Sequence, residues 1–154
     1  MDDLQRLVDF DEIKHLKARY WRAVDMKDHA LLGSVFTDNA EIDMTDAGGG
    51  DAFQDQSSML YHPKPSVFVE QALNALRGVT TAHHGYPPEI TLLSPTEATA
   101  IWPMEDHLWA DPSRADIGFN HLHGFGHYYE RYVKTDAGWK IAAMTLKRSK
   151  VIVT

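Results

Sequence analysis

Residues 96–110, TEATAIWPMEDHLWA, form the stretch that decides the fold of this chain. Small or apolar side chains stand at every second position over much of it. A pattern with a period of two residues predicts a β-strand rather than a helix. Similar patterns predict strands at about 79–93, 118–136 and 138–153, separated by turn residues at Ser94-Pro95 and Asp136-Ala137-Gly138. Nearly everything from residue 79 onward is therefore predicted to be strand.

The first half of the chain is predicted to be mainly helical. Between Asp11 and about Met26, apolar residues recur at three- and four-residue spacing, and Asp9 or Asp11 can serve as the N-cap. Asp28 can cap a second, short helix. Pro65 lies near the start of a third helix, which stops at Gly78.

Residues 45–63 are predicted to form a long loop. They follow a short predicted strand at 41–44, contain the run Gly48-Gly49-Gly50 and show little periodicity. Because long loops in compact domains are often functional, the alternatives are a lid over a binding site and a disordered connection.

Three helices followed by four to five antiparallel strands are typical of an α+β domain. If the sheet curls around the helices, it makes a cone whose mouth is a natural pocket. The chain has 154 residues, the length of one domain, and shows neither an internal repeat nor a linker. We therefore predict a single α+β domain over residues 1–154.

Composition and charge narrow the class of partner. The formal net charge is −7, with 22 acidic residues against 15 Lys and Arg, so a nucleic-acid partner is not expected. The chain has no cysteine and no apolar run of membrane-spanning length. Its acidic start, Met1-Asp2-Asp3-Leu4, is unlike a signal peptide. We expect a cytoplasmic protein that binds neither nucleic acid nor membrane.

His83 and Asp25 are the first candidates for chemistry, although they are far apart in the sequence. Asp25 lies at the end of the first predicted helix, where the helix dipole disfavours a carboxylate and a compensating interaction is implied. A neutral imidazole oriented by a carboxylate can transfer protons near neutral pH. Strand alternation sends His84 to the opposite face. The pattern leaves open whether Asp25 caps a loop and whether Tyr20 is a core aromatic.

Asp106 lies on the same predicted strand face as Trp102 and Met104. A carboxylate among apolar neighbours is costly unless it is paired or hydrogen-bonded. Asp106 is therefore a candidate for a functional site, or it makes a structural ion pair with Arg148.

Three histidines, His121, His123 and His127, share one face of a predicted strand with Tyr129. Histidines at this spacing can bind zinc, but no His-Glu-x-x-His motif or cysteine pair accompanies them. We therefore expect no metal and no other cofactor, and place His127 and Tyr129 in the lining of a substrate pocket. A partly exposed strand interrupted by glycines is the alternative.

Four blocks of the sequence, in this order, resemble a known family. They are ARYWRAVD (18–25), HHGYPPEI (83–90), ATAIWPMED (98–106) and GWKI (138–141). The blocks resemble the SnoaL-like branch of the nuclear-transport-factor-2-like superfamily, and within it the bile-acid 7α-dehydratase and scytalone dehydratase group. The resemblance runs over nearly the whole chain.

The resemblance implies a cone of curved antiparallel sheet around three helices, with Asp25 and His83 meeting inside it. In the dehydratase relatives, the residues at the positions of Tyr20, Asp25 and His83 belong to the active site, and those matching Asp106 and Arg148 lie in the same cavity. Related dehydrochlorinases carry lysine at the Tyr20 position, which favours the dehydratases. Relatives assemble through their sheets, so a homodimer or homotrimer is expected.

The leading hypothesis is a cofactor-independent dehydratase, a lyase, acting on a hydrophobic hydroxy-ketone or enone that is steroid-like or polyketide-like. His83 would be the general base and Asp25 its orienting partner. Tyr20 would donate to the carbonyl oxygen, and Asp106 or Arg148 would position the leaving hydroxyl. Trp102, Met104 and other apolar side chains would line the pocket. The alternatives are an isomerase or cyclase with the same dyad, and a non-catalytic domain that binds small ligands.

Overall fold

The computed structural model describes residues 2–47, 61–62 and 64–154. Within these residues, three α-helices are α1 (Asp3–Met26), α2 (His29–Ser34) and α3 (Pro65–Ala75). Seven strands are β1 (Phe36–Asp43), β2 (Tyr61–His62), β3 (Val79–Gly85), β4 (Glu89–Ser94), β5 (Glu97–Ala110), β6 (His121–Thr135) and β7 (Gly138–Val153). A 3₁₀ turn, Ala115–Ile117, lies between β5 and β6.

The strands form one mixed sheet in the order β2-β1-β7-β6-β5-β3, and β4 also pairs with β5. The long strands β5, β6 and β7 pair antiparallel with one another, as predicted. The predicted α+β cone, a curved sheet packed against three helices, is confirmed. β1 differs from the prediction, because it begins at Phe36 and runs parallel to β7.

Side-chain alternation divides the sheet into an inner face, toward the helices, and an outer face. The inner residues of β6 are buried and even-numbered: Leu122, Gly124, Gly126, Tyr128, Glu130 and Tyr132. The even-numbered residues of β5 from Ala98 to Asp106 are buried in the same way. Helix α1 packs its apolar stripe into this core, through Ile13, Leu16, Tyr20 and Ala23.

Helix α1 starts eight residues before the predicted Asp11. Asp2 is its N-cap, with a side-chain oxygen that accepts a hydrogen bond from the Gln5 backbone N–H. Asp9, predicted as a cap, is instead fully buried and accepts hydrogen bonds from Lys134 and the Trp139 indole. Asp9 therefore makes a tertiary ion pair between α1 and the sheet, whereas the local sequence pattern assigned it to the end of the helix.

The predicted strand at 79–93 is two strands, β3 and β4, which pair with successive parts of the same strand, β5. The break falls at Pro87 and Pro88, which have no backbone N–H to donate to a ladder. Tyr86 spans the break by donating its backbone N–H to the carbonyl oxygen of Pro103 on β5.

The predicted loop at 45–63 lies mostly outside the described residues, so its role as a lid stays a prediction. Its beginning is described: a turn in which the backbone N–H of Ala47 donates to the carbonyl oxygen of Met44. In the described parts of the chain, no helix has the length and apolar character needed to cross a membrane.

A buried ion pair joins α1 to the inner face of the sheet. Lys17 Nζ lies 2.5 Å from Glu130 Oε1, and both side chains are fully buried. Glu130 also accepts a hydrogen bond from the Tyr132 hydroxyl, which itself accepts one from the Trp102 indole. Burial lowers the pKa of Lys17 to about 8, although Glu130 opposes this shift. The pair is the polar centre of the packed core.

We expect Lys17→Met to lower the free energy of unfolding by about 3–5 kcal/mol, because it leaves the Glu130 carboxylate buried without its partner. Urea denaturation of the two proteins measures the difference. Lys14→Met, on the exposed side of the same helix, is the matched control and should change stability little. Equal effects of the two substitutions would show that the buried pair has no special role.

Candidate active site

His83 and Asp25 meet where the end of α1 reaches β3. His83 Nδ1 lies 2.6 Å from Asp25 Oδ1. The His83 backbone N–H donates to Asp25 Oδ2 at 3.1 Å, and the Thr81 hydroxyl donates to Oδ1 at 2.8 Å. These three hydrogen bonds are the compensation for a carboxylate in the last turn of a helix.

The hydrogen bonds fix the protonation pattern of the dyad. Burial would raise the pKa of Asp25, but the hydrogen bonds from His83 and Thr81 outweigh it and hold this pKa below its usual value. An ionised carboxylate only accepts hydrogen bonds, so Nδ1 of His83 carries the proton that it donates to Asp25. In the neutral ring, Nε2 then has the free lone pair. Among the described residues, no hydrogen-bond partner of Nε2 is found.

The free nitrogen of His83 faces a second carboxylate. Nε2 lies 3.7 Å from Asp106 Oδ2, which is too long for a hydrogen bond. Asp106 is directly opposite His83 in the β3–β5 ladder, so both side chains point to the inner face. The His83 side chain is 8% exposed and that of Asp106 is 2% exposed, so this pair of groups lies in a largely water-excluded place.

Asp106 forms a bidentate ion pair with Arg148. Two guanidinium nitrogens of Arg148 each lie 2.7 Å from a carboxylate oxygen of Asp106. The pair confirms the predicted partnership, and its position beside His83 also keeps Asp106 in the candidate site. Asp106 can therefore make a structural ion pair and belong to the candidate site at the same time.

Glycines on β6 allow this ion pair to form. Arg148 is on β7 and Asp106 is on β5, so the guanidinium must cross the strand between them. It crosses at Gly124, where a Cβ atom would lie 2.2 Å from Arg148 Nη1 and 2.5 Å from Asp106 Oδ1. At Gly126, a Cβ would lie 2.3 Å from the Lys147 carbonyl oxygen, where the β6–β7 register shifts by one residue. Gly124 is therefore needed for the approach of Arg148 to Asp106, and Gly126 for the approach of the β7 backbone to β6.

Two buried phenols, those of Tyr20 and Tyr128, lie next to each other in the core. The hydroxyl of Tyr20 is 3.5 Å from that of Tyr128, and both residues are buried. Burial raises the pKa of both phenols, so each keeps its proton at neutral pH. The charge of Asp106 also contributes to the raised pKa of each phenol. Tyr20 is thus both a core aromatic and a possible donor.

Trp102 and Met104 lie on the same face of β5 as Asp106, and their role in lining a substrate pocket stays a prediction. Both are buried on the inner face, and Met104 Sδ lies 3.8 Å from Arg148 Nη1. Trp21 packs edge-to-face on Trp102 and covers Gly85, where a Cβ would lie 1.7 Å from its ring. Within the described part of the chain, the buried indole N–H of Trp21 has no hydrogen-bond partner.

The structure corrects the assignment of His127 and Tyr129 to the pocket. Gly124 pairs directly with the inward-facing Asp106, so even-numbered positions of β6 face inward and these two residues face outward. Tyr129 is 42% exposed. Among the described residues, the side chains close enough together to hold a metal ion also lie on this outer face. His84 is exposed, as the alternation from His83 predicted.

Three neighbours of the site were not predicted. Thr81 is two residues before His83 on the same strand face, so alternation alone could have indicated it. Tyr128 would have followed from the correct face assignment of β6. Trp21 directly follows Tyr20 on α1, and helical spacing gave no signal that its indole turns toward β3.

Comparisons with solved structures show the same fold in several proteins of low sequence identity. A candidate scytalone dehydratase from Novosphingobium aromaticivorans matches with a TM-score of 0.79 and 18% identity, over 97% of this chain and 90% of that one. A type 2 hexachlorocyclohexane dehydrochlorinase matches with a TM-score of 0.78 and 19% identity, over 99% and 93%. A protein from Kribbella flavida matches with a TM-score of 0.81 and 23% identity, over 96% and 95%.

A family model matches most of the chain. The model for the SnoaL-like domain matches residues 5–145, which include both members of the dyad, Asp106 and the whole of α1 from Gln5 onward. The chain belongs to the SnoaL-like domain family.

Proposed function

We propose that the protein is a cofactor-independent dehydratase that removes water from a hydrophobic hydroxy-ketone or enone. The observation that carries the proposal is the state of His83. Nδ1 of His83 donates its proton to Asp25 Oδ1, 2.6 Å away. Nε2 of His83 faces the inner side of the sheet and has no hydrogen-bond partner among the described residues. A general base needs this arrangement, with a fixed tautomer and a free lone pair.

The reaction starts with proton removal from the carbon next to the substrate carbonyl. Nε2 of His83 takes this proton, and the electron pair of the C–H bond moves toward the carbonyl as an enolate. The enolate then forms a carbon–carbon double bond as the bond to the β-hydroxyl breaks. The proton held by His83 passes to the departing oxygen, so the products are water and the unsaturated ketone.

The carboxylate of Asp25 stabilises the imidazolium that forms during the reaction, and Asp106, paired with Arg148, lies on the other side of the ring. Asp25 already accepts the Nδ1 proton, and Asp106 lies 3.7 Å from Nε2. In a place where water is largely excluded, the attraction between opposite charges is stronger than in solution. Asp25 is therefore placed to hold the ring in one orientation through the proton transfer.

The phenols of Tyr20 and Tyr128 can stabilise the enolate oxygen. Both keep their protons at neutral pH because burial raises the pKa of each. A donor aimed at developing negative charge typically contributes about 2.7–4 kcal/mol to the barrier. Arg148 is held by Asp106 and by the Ala47 carbonyl oxygen, and in this proposal a further N–H of its guanidinium positions the leaving hydroxyl.

The apolar surroundings support an apolar substrate, and we propose one that is steroid-like or polyketide-like. Trp21, Trp102 and Met104 supply flat and adaptable apolar surface beside the dyad. The names of two similar folds, a scytalone dehydratase and a dehydrochlorinase, both describe elimination reactions and support the same class of chemistry. Isomerase and cyclase reactions share the enolate, and only the product separates them from dehydration.

We expect His83→Ala to lower turnover at least about a hundredfold on any substrate that the wild type converts, because the general base is lost. A panel of apolar hydroxy-ketones and hydroxy-enones, followed by mass spectrometry for the loss of water, provides the measurement. His84→Ala is the matched control, since the neighbouring side chain is exposed on the other face. Unchanged turnover in His83→Ala contradicts the mechanism, and a product of unchanged mass identifies an isomerase or cyclase instead.

We expect the stability difference between wild type and Asp25→Asn to shrink at low pH. The pKa of Asp25 in the folded protein lies below the usual 3.8, so the ionised carboxylate stabilises the fold above about pH 4. That contribution is lost as the pH falls through the lower folded pKa.

Urea denaturation at pH 7 and pH 3 tests this expectation. The gap in unfolding free energy between wild type and Asp25→Asn should be large at pH 7 and smaller at pH 3. Asp11→Asn, on the exposed side of α1, is the control and should stay close to wild type at pH 7. A gap that is the same at both pH values would show that the ionised carboxylate does not stabilise the dyad.

A further inference from the structure

The outer face of the sheet carries a compact group of potential metal ligands. Glu105, His107 and His123 each offer one ligand atom, and these atoms all lie within 4.8 Å of one another. We call these three residues the outer-face triad. The rings of His107 and His123 lie 3.8 Å apart, and His123 Nε2 is 3.0 Å from Glu105 Oε2.

The three residues of the triad lie on β5 and β6, whose pairing has no register shift. His107 and His123 are direct partners in the β5–β6 ladder, and Glu105 is two residues from His107 on the same face. The ladder is continuous from Glu97 to Trp109 with no register shift. Its backbone therefore holds the three side chains in fixed relation, and only side-chain rotation is needed to adjust them.

The donor set suits a divalent transition metal. Two imidazoles and one carboxylate form a common protein site for zinc, with the fourth position left to water or another ligand. In a tetrahedral site with bonds of about 2.0–2.1 Å, neighbouring ligand atoms lie about 3.4 Å apart. The His123–Glu105 separation is already close to this value, and the third ligand atom needs a small rotation.

Neighbouring side chains orient the ligands as in known metal sites. The Tyr86 hydroxyl donates to Glu105 Oε1 at 2.8 Å, which leaves the other carboxylate oxygen toward His123. His107 Nδ1 lies 2.9 Å from His121 Nε2, so a metal bound through the other ring nitrogen of His107 would leave this hydrogen bond intact. Supporting contacts of this kind fix the tautomer and orientation of metal ligands.

We propose that the outer-face triad binds one divalent transition metal ion per chain, with Zn²⁺ as the preferred ion. Ring stacking holds His107 against His123, and a hydrogen bond joins His123 to Glu105, so the three ligand atoms are already gathered within 4.8 Å of one another. In a single chain the side chains of His123 and Glu105 are each 23% exposed, so an ion can reach them before any assembly through the sheet. Sulfur ligands do not contribute, which disfavours Cu⁺.

This site is separate from the proposed dehydratase chemistry. Glu105 and His107 flank Asp106 on β5, and strand alternation directs them away from the face that carries His83. The metal would therefore not touch the dyad. It would instead join β5 to β6 on the outer side, and it would add stability to the fold by binding only the folded state.

Titration of the metal-free protein with Zn²⁺ by calorimetry, in the presence of a competing chelator, tests the proposal. Wild type is expected to bind one Zn²⁺ per chain. His123→Asn and Glu105→Gln should each weaken binding at least about tenfold, since each removes a ligand. His127→Asn is the matched control, because it removes a histidine from the same strand face outside the triad. Equal affinity in all four proteins, or no saturable binding by wild type, overturns the proposal.

A second measurement separates loss of the site from loss of the fold. At a Zn²⁺ concentration that just saturates wild type, the thermal midpoint of wild type and of His127→Asn should rise, and that of His123→Asn should rise clearly less. His83→Ala should bind Zn²⁺ as wild type does, so failure of the dehydratase mechanism does not affect this result. A rise in the midpoint of His123→Asn equal to that of wild type would assign the binding to other residues and contradict the triad.

Discussion

The candidate site depends on one ion pair that crosses a strand. Arg148 on β7 reaches Asp106 on β5 by passing over β6, and the crossing is possible because position 124 has no side chain. The ion pair neutralises a carboxylate that would otherwise be costly to bury. It also holds Asp106 beside Nε2 of His83. The same contact therefore links three strands of the sheet and sets the electrostatics of the proposed general base.

A second layer of buried polar groups lies deeper in the core. Lys17 pairs with Glu130, and its ammonium lies 4.0 Å from the ring centre of Tyr20 and 3.6 Å from that of Tyr128. The rings of both phenols therefore lie against a buried cation, and this contact helps to fix their orientation.

Much of the fold was predictable because the long strands carry a clear two-residue period. The boundaries of β5 and β7 agree with the prediction to within one residue. The break between β3 and β4 falls at Pro87 and Pro88. Because the effect of proline on a strand ladder is local, this break could also have been predicted from the sequence. The early start of α1 was hidden, because Asp9 serves a tertiary contact with Lys134 while it has the sequence signature of a cap.

The candidate site was predictable where residues shared a strand and less so where they depended on pairing between strands. Asp106 was assigned to the buried face from its own strand alone. His127 and Tyr129 were misplaced because the direction of β6 side chains is set by the partner of Asp106, Gly124, which alternation within β6 cannot reveal. The contact of Asp25 with His83 spans 58 residues of sequence and follows only from the packing of α1 on β3.

The prolines between β3 and β4 have an effect beyond the path of the chain. These two strands lie on the β5 edge at one end of the sheet order, where unpaired backbone groups could template the addition of a strand from another molecule. Pro87 and Pro88 interrupt that edge and leave two short strands of seven and six residues. Short, proline-broken edges resist such pairing. The break between β3 and β4 is therefore expected to hinder edge-to-edge pairing with other molecules.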